Sequence, residues 1–207
     1  MTRQFILILF VAMLACSISS CSDEAKLQPL AADATILAFG DSLTYGTGTS
    51  RKNAYPSILQ GLIKRKVINA GVPGEISEKG LARLPGLITR HRPALIIICH
   101  GGNDILKKLD LSKTKNNLQQ MIDLARQYNA QVVLVGVPEF GLFLNTVSLY
   151  DELAAKNNVP IADDILADII GKNALKSDYI HPNTQGYQLL AKGIEILLIA
   201  SGALPIE

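Results

Sequence analysis

Six consecutive apolar residues, Ala94-Leu95-Ile96-Ile97-Ile98-Cys99, place the tightest limit on how this chain folds. The run is too short for a helix and shows no alternation, so both of its faces must be buried, as in a central strand of a parallel sheet. Similar short runs recur at Thr35–Phe39, ended by Gly40, at Val67-Ile68-Asn69, closed by Gly71, at Gln131–Val137, ended by Pro138, and at Val159-Pro160-Ile161. Longer stretches with helical spacing lie between and after them: Ala54–Lys66, Glu75–Arg92, a segment capped by Ser112 and running to about Tyr128, Thr146–Asn157 and Thr184–Ala200. Pro85-Gly86 is expected to bend or break the second of these. Strands that alternate with helices imply an α/β domain, a parallel sheet covered on both faces. Ligands of such sheets bind beyond the carboxyl ends of the strands. Here those ends carry Gly40-Asp41-Ser42, Asn69-Ala70-Gly71 and Gly101-Gly102-Asn103-Asp104.

The first 34 residues do not share this pattern. Residues 1–20 hold 14 apolar side chains, and Phe5 to Cys16 has no polar side chain at all. That run is shorter than the roughly 20 residues a membrane span needs, and with Arg3 ahead of it the segment reads as a signal peptide. Ile18-Ser19-Ser20-Cys21 then resembles a bacterial lipobox, which implies cleavage before Cys21 and lipid attachment to its thiol; Cys16 is the poorer candidate. The expectation is a chain lipid-anchored at a bacterial cell envelope, on the periplasmic face of the outer membrane where one exists. Residues 21–34 lack periodicity and read as a tether, leaving 35–207 as one catalytic-sized domain. Cys99 is then the lone remaining thiol, which can build neither a disulfide framework nor a zinc site. With 20 basic and 18 acidic residues the chain offers no electrostatic case for nucleic acid.

Ser42 follows a buried strand directly, so its hydroxyl can stand at the sheet rim beside helix N–H groups. Neither a Walker A sequence nor the G-x-S-x-G elbow surrounds it. A nucleophilic serine needs a base, and there are three histidines: His91 in a basic helix end, His100 at a strand end beside Gly101-Gly102, and His181. Asp178 lies three residues ahead of His181, close enough to fix an imidazole within one local turn. Gly71 and Asn103 follow the second and third strands and project donors onto the rim that carries Ser42.

Taken in order, Gly40-Asp41-Ser42-Leu43, Asn69-Ala70-Gly71-Val72-Pro73-Gly74-Glu75, Gly101-Gly102-Asn103-Asp104 and Asp178-x-x-His181-Pro182 resemble the four blocks of the SGNH, or GDSL-type, hydrolase superfamily, closest to its bacterial arylesterase, acyl-thioesterase and lysophospholipase branch. The resemblance covers about Thr35 to the C-terminus. It implies a three-layer αβα sandwich of flavodoxin-like kind around a five-stranded parallel sheet, and no metal or organic cofactor. It further implies Ser42 as nucleophile, His181 as base and Asp178 as its orienter. An oxyanion hole would come from the Ser42 and Gly71 N–H groups with the Asn103 amide. The activity implied is hydrolysis of short-to-medium acyl or aryl esters, lysophospholipids or thioesters included, through an acyl-enzyme on Ser42.

Two features depart from that pattern. His100 stands where relatives carry a small or aliphatic residue, so a second imidazole is expected to face the substrate. The segment Pro138–Leu144 is apolar rather than polar; Phe140 and Leu142 would suit an acyl chain, or else begin a buried helix. The alternatives are a carbohydrate O-acetylesterase of envelope glycans and a non-catalytic acyl- or lipid-binding module.

Overall fold

The structure, a computed structural model, describes residues 25–206 apart from 142 and 143. The expected signal peptide, Cys16, Cys21 and Leu142 therefore lie outside the described residues. Five strands, β1 (Thr35–Gly40), β2 (Lys66–Gly71), β3 (Leu95–Cys99), β4 (Gln131–Val135) and β5 (Ile161–Ala162), form one sheet in the order β2-β1-β3-β4-β5. All four pairings are parallel. The fold class expected from the apolar runs is the one observed. Every residue of β3 is buried, as a strand with neighbours on both sides and helices on both faces must be.

Eight α-helices connect or flank the strands among the described residues: α1 (Ser42–Tyr45), α2 (Tyr55–Ile63), α3 (Ser77–His91), α4 (Gly102–Leu106), α5 (Leu111–Gln127), α6 (Leu149–Asn157), α7 (Ile165–Ile170) and α8 (Thr184–Ala200). Helices α2 and α8 pack together on one face of the sheet; α3, α5 and α6 pack in sequence on the other. Each buries an apolar stripe against the sheet, for example Leu118, Met121, Ile122 and Ala125 of α5 and Tyr187, Leu190, Ala191 and Ile194 of α8. None of the helices is long and apolar enough to cross a membrane.

Differences from the expected boundaries have local causes. Asp110, not Ser112, caps α5: its Oδ1 accepts the Ser112 N–H at 2.9 Å. Pro85 sits inside α3 without ending it. Its missing donor removes one hydrogen bond, and Leu84 and Ile88 on either side keep the helix seated. The sixth helix starts at Leu149 instead of Thr146 because Thr146 bridges to Pro138 and gives its hydroxyl to the Asp163 carbonyl at 3.0 Å.

The largest difference concerns the expected tether. From Leu27 onward the segment is part of the body: Leu27, Leu30 and Ala34 are buried at a spacing of three and four. The Leu27 N–H donates to Ser201 O at 2.8 Å and the Leu30 N–H to Ala203 O at 2.9 Å. Arg65 holds the strap from the other side, donating to Leu30 O and Ala31 O at 3.1 Å each. Gln131, the first residue of β4, exchanges hydrogen bonds with the Gln28 backbone. The strap therefore lies at the amino ends of the strands, opposite the rim that carries Ser42. Leu30→Ala should lower the unfolding free energy by about 2 kcal/mol or more, read from the urea midpoint, with kcat unchanged; a drop in kcat would contradict this separation of the two ends.

Candidate active site

The order β2-β1-β3 places a topological switch point between β1 and β3, where the connections leave in opposite directions and open a crevice. Ser42 follows β1 there and Asn103 follows β3. Asp41 caps the short helix α1, its Oδ1 accepting the Leu43 N–H at 3.0 Å, and Gly46 ends it with φ 98°. Gly40 is required just before: a Cβ there would lie 2.1 Å from the Cys99 carbonyl oxygen. Ser42 is thus presented on a turn with almost no freedom to move.

His181 arrives from the loop ahead of α8. Its Nε2 is 2.9 Å from Ser42 Oγ, and its Nδ1 is 2.7 Å from Asp178 Oδ2. Asp178 uses its other oxygen to accept the Ile180 and His181 N–H groups, both at 2.9 Å, so carboxylate and imidazole are set by one local turn. Burial raises the Asp178 pKa, but the hydrogen bonds from Ile180 and His181 outweigh it and hold the carboxyl below its ordinary range. With Nδ1–H donated to the carboxylate, Nε2 is the acceptor that faces the Ser42 hydroxyl. The three residues singled out in the sequence are brought together in the expected order; His91 is at the end of α3, away from them.

The donors around Ser42 are only partly those expected. The Ser42 N–H is an orphan donor of a helix's first turn. Asn103 Nδ2 lies 3.0 Å from the Glu75 carbonyl and 3.3 Å from Asp41 Oδ2, so one N–H is firmly held and the other only loosely. Gly71 does not fill its expected place. Its N–H donates to Asn69 Oδ1 at 3.0 Å, and Asn69 Nδ2 donates to Thr44 O at 2.9 Å, stapling β2 to α1. Gly71 is glycine because a Cβ would lie 2.1 Å from the Tyr45 nitrogen. The free donor of this loop is Gly74, whose N–H has no hydrogen bond among the described residues and whose φ of 76° suits glycine. It adjoins Glu75, the residue whose carbonyl holds Asn103. The second motif contains both glycines, and only the backbone path distinguishes them.

His100 is also not where it was expected. It has no exposed surface and does not line a substrate crevice. Its Nδ1 accepts the Gly101 N–H at 2.9 Å and its Nε2 lies 3.1 Å from Glu75 Oε2. Phe140 packs against the hydrophobic core and is only partly exposed. Among the described residues no helix starts there, and the Glu139 N–H donates to Asn145 O at 2.9 Å.

Sequence reasoning passed over Asp104, whose carboxylate joins three elements. Its Oδ2 accepts the Ser77 N–H at 2.8 Å and its Oδ1 accepts the Ser77 hydroxyl at 2.6 Å and the Thr114 hydroxyl at 3.2 Å. It locks the starts of α3 and α5 to α4 and so fixes the two loops that carry Glu75 and Asn103. Its presence in Gly101-Gly102-Asn103-Asp104 was the available signal. Among the described residues no group of three or more His, Cys, Asp or Glu is arranged to hold a metal ion.

A serine, histidine and aspartate joined in this way at the carboxyl rim of a parallel sheet define a serine hydrolase. The chain belongs to the GDSL-like lipase/acylhydrolase family, which matches residues 38–189. It is 32% identical to esterase TesA of Pseudomonas aeruginosa, over 82% of this chain and 90% of that protein. It is 31% identical to the thioesterase 1/protease 1/lysophospholipase L1 of Escherichia coli K12, over 78% and 81%. Among solved structures, the psychrotrophic esterase EstA of Pseudoalteromonas, inhibited by monoethylphosphonate, superposes with a TM-score of 0.72 at 26% identity, covering 81% of this chain and 98% of that one.

The Gly71 correction is testable. Gly71→Ala must displace the backbone that carries Ser42, so kcat for an aryl ester should fall by about 100-fold or more, whereas Gly74→Ala should fold with only modest strain. Equal activity of Gly71→Ala and wild type would refute the packing role.

Proposed function

We propose that this enzyme hydrolyses amphiphilic or aryl carboxylic esters through an acyl-enzyme on Ser42. The observation that carries the reading is the relay itself, Ser42 Oγ to His181 Nε2 at 2.9 Å and His181 Nδ1 to Asp178 Oδ2 at 2.7 Å. His181 Nε2 takes the hydroxyl proton as Ser42 Oγ attacks the carbonyl carbon, and the imidazolium forms against the Asp178 carboxylate. The carbonyl oxygen becomes an oxyanion that the Ser42 N–H, the Gly74 N–H and the second N–H of Asn103 stabilise; the long contact to Asp41 is the one it replaces. Collapse of the intermediate breaks the ester C–O bond, with the His181 proton passing to the leaving alcohol. Water, deprotonated by His181, then attacks the acyl carbon, releasing the acid and restoring the Ser42 hydroxyl.

The substrate class is supported by the rim. Tyr45, Val72, Leu106, Leu109, Leu111 and Tyr179 are large apolar or aromatic residues exposed on the segments that follow β1, β2 and β3 or precede α8. Tyr179 lies between Asp178 and His181 and is 90% exposed. Exposed apolar side chains on these segments suit the apolar part of an ester better than a sugar. The names of the relatives, an esterase and a thioesterase/lysophospholipase, agree with that choice. We also propose that Cys21 carries the lipid of an envelope lipoprotein. The support is the apolar leader and the lipobox-like Ile18-Ser19-Ser20-Cys21. Cys21 stands six residues before Leu27, a reach of at most about 20 Å.

A p-nitrophenyl ester series of increasing chain length, run beside an acetylated glycan, tests the catalytic reading. Ser42→Ala should abolish turnover and labelling by a p-nitrophenyl alkylphosphonate; persistence of either removes Ser42 from the nucleophile's place. Glycan deacetylation without aryl ester turnover would favour the O-acetylesterase. Asp178→Asn should lower kcat by roughly 10³- to 10⁴-fold, because an amide there faces the Nδ1–H with a donor. Asp178 is held below the ordinary carboxylate range, so its own protonation should add no second proton to the acid limb of kcat/KM, which should rise with pH on a single proton; a two-proton limb would exclude this assignment. Globomycin-sensitive processing and loss of membrane association in Cys21→Ala, with Cys16→Ala unaffected, would support the anchor; membrane association unchanged in Cys21→Ala would reject it.

A further inference from the structure

Three side chains behind the crevice, Glu75 and His100 buried and Arg83 partly so, take no part in the relay. Glu75 is 8% exposed, and its carboxylate accepts hydrogen bonds from the Arg83 guanidinium and the His100 imidazole. Arg83 reaches it with Nε at 2.8 Å from each carboxylate oxygen and with Nη2 at 2.7 Å. His100 reaches it with Nε2 at 3.1 Å. Burial raises the Glu75 pKa, and these partners more than reverse it, so the carboxylate is charged. His100 has its tautomer set from the other side, because the Gly101 N–H points at Nδ1 and requires a lone pair there. The proton is therefore on Nε2, donated to Glu75. The imidazole lies against the backbone of α3, where a Cβ on Gly80 would sit 2.3 Å from Nε2, and its ring is 5.6 Å from that of Phe39. The Tyr150 hydroxyl donates to the His100 carbonyl at 2.7 Å, so its backbone is held as well.

We propose that His100 is a positioning residue for ester hydrolysis, acting through Glu75 on Asn103. Glu75 is held by its side chain and holds Asn103 by its carbonyl, 3.0 Å from Nδ2. A side chain anchored by Arg83 alone would be held from one direction, since the guanidinium also donates to Gly40 O at 3.1 Å and Ala70 O at 2.9 Å on the β1–β2 side. His100 supplies the second direction, from the β3 loop that bears Asn103 itself. With both in place the Glu75 carbonyl has one position, and the second Asn103 N–H points where charge develops on the carbonyl oxygen. The inference rests on the reading of Ser42 as nucleophile and Asn103 as an oxyanion donor.

The experiment is steady-state kinetics on a p-nitrophenyl ester with His100→Leu, His100→Gln and Asn103→Ala, singly and with His100→Leu and Asn103→Ala combined. A loosened oxyanion donor weakens interactions made in the transition state, so His100→Leu should lower kcat about tenfold or more with KM within twofold of wild type. Glutamine carries an amide donor at the distance of Nε2, and His100→Gln should recover kcat to within about threefold. If His100 acts through Asn103, the double variant should be no slower than Asn103→Ala alone. Wild-type kcat in His100→Leu, a glutamine variant as slow as the leucine variant, or losses that multiply in the double variant would each overturn the proposal. Should His100→Leu fail to fold, His100→Asn takes its place, since its shorter amide falls short of Glu75 and should show the same fall in kcat. Activity retained in Ser42→Ala or Asn103→Ala would instead defeat the underlying reading, whatever His100 does.

Discussion

Backbone touches backbone where β1 ends, and the active site is built on that contact. Gly40 passes β3 so closely that a Cβ would lie 2.1 Å from the Cys99 carbonyl oxygen. A Cβ on Gly71 would lie equally close, 2.1 Å, to the Tyr45 nitrogen. Three strand ends and the first turn of α1 are thereby drawn to within direct contact, with no side chain between them. Side chains hop between rotamers, but backbone packed on backbone does not. The nucleophile's position follows from the sheet itself and needs few supporting residues of its own.

The supporting residues are used instead on the donors, and there the chemistry is costly. Asp41, Glu75, His100 and Asp104 are all buried beside the crevice, and burial of a polar or ionised group is unfavourable unless it is hydrogen-bonded. Each has its partners. Asp41 caps α1, Asp104 ties three helices, and Glu75 and His100 hold each other. Burial raises the Asp41 pKa, its neighbours His100 and His181 and its hydrogen bonds with Leu43 and Asn103 acting the other way, whereas the partners of Glu75 prevail over burial. Polar groups of this kind add little net stability. What they provide is a loop geometry with a single arrangement, which is what preorganised stabilisation of an oxyanion demands.

The fold was legible because strands buried on both faces leave an unambiguous mark: Leu95–Cys99 is a run of five apolar residues, and the last helix, Thr184–Ala200, has the bounds its periodicity implied. The relay residues were legible because a serine after a strand and a D-x-x-H turn fall, with two further blocks and in order, into a pattern that resembles one superfamily; either alone reads equally well as a cap or a turn. Of the donors, the Ser42 N–H and the Asn103 amide were legible, and the glycine was not. Gly71 and Gly74 sit three residues apart in one motif, and which N–H is free depends on Asn69 folding back onto its own strand. His100 read as a rim residue because it ends a strand, yet strand ends alternate between the crevice and the helix layer, and Gly80 opens a space for the imidazole beneath α3. A pairing between residues twenty apart in sequence leaves no periodic trace. The strap failed for a related reason: Leu27, Leu30 and Ala34 are three apolar residues, too few to mark an element, and what buries them is contact with distant parts of the chain, with Arg65, Gln131 and the end of α8 fastening the segment.

The strap and the rim lie at opposite ends of the strands, and this separation has a physical consequence. Residues that fasten the N-terminal segment, Arg65, Gln131 and Ser201, share no hydrogen bond with the relay or its donors. Load on the N-terminal segment is received at the amino ends of β4 and α8's far end, with the whole length of the sheet between it and Ser42. A parallel sheet transmits such load as a rigid body, because its interior is close-packed and its strands are joined along their length. The catalytic geometry at the rim is therefore insulated from the N-terminal segment at the other end of the strands.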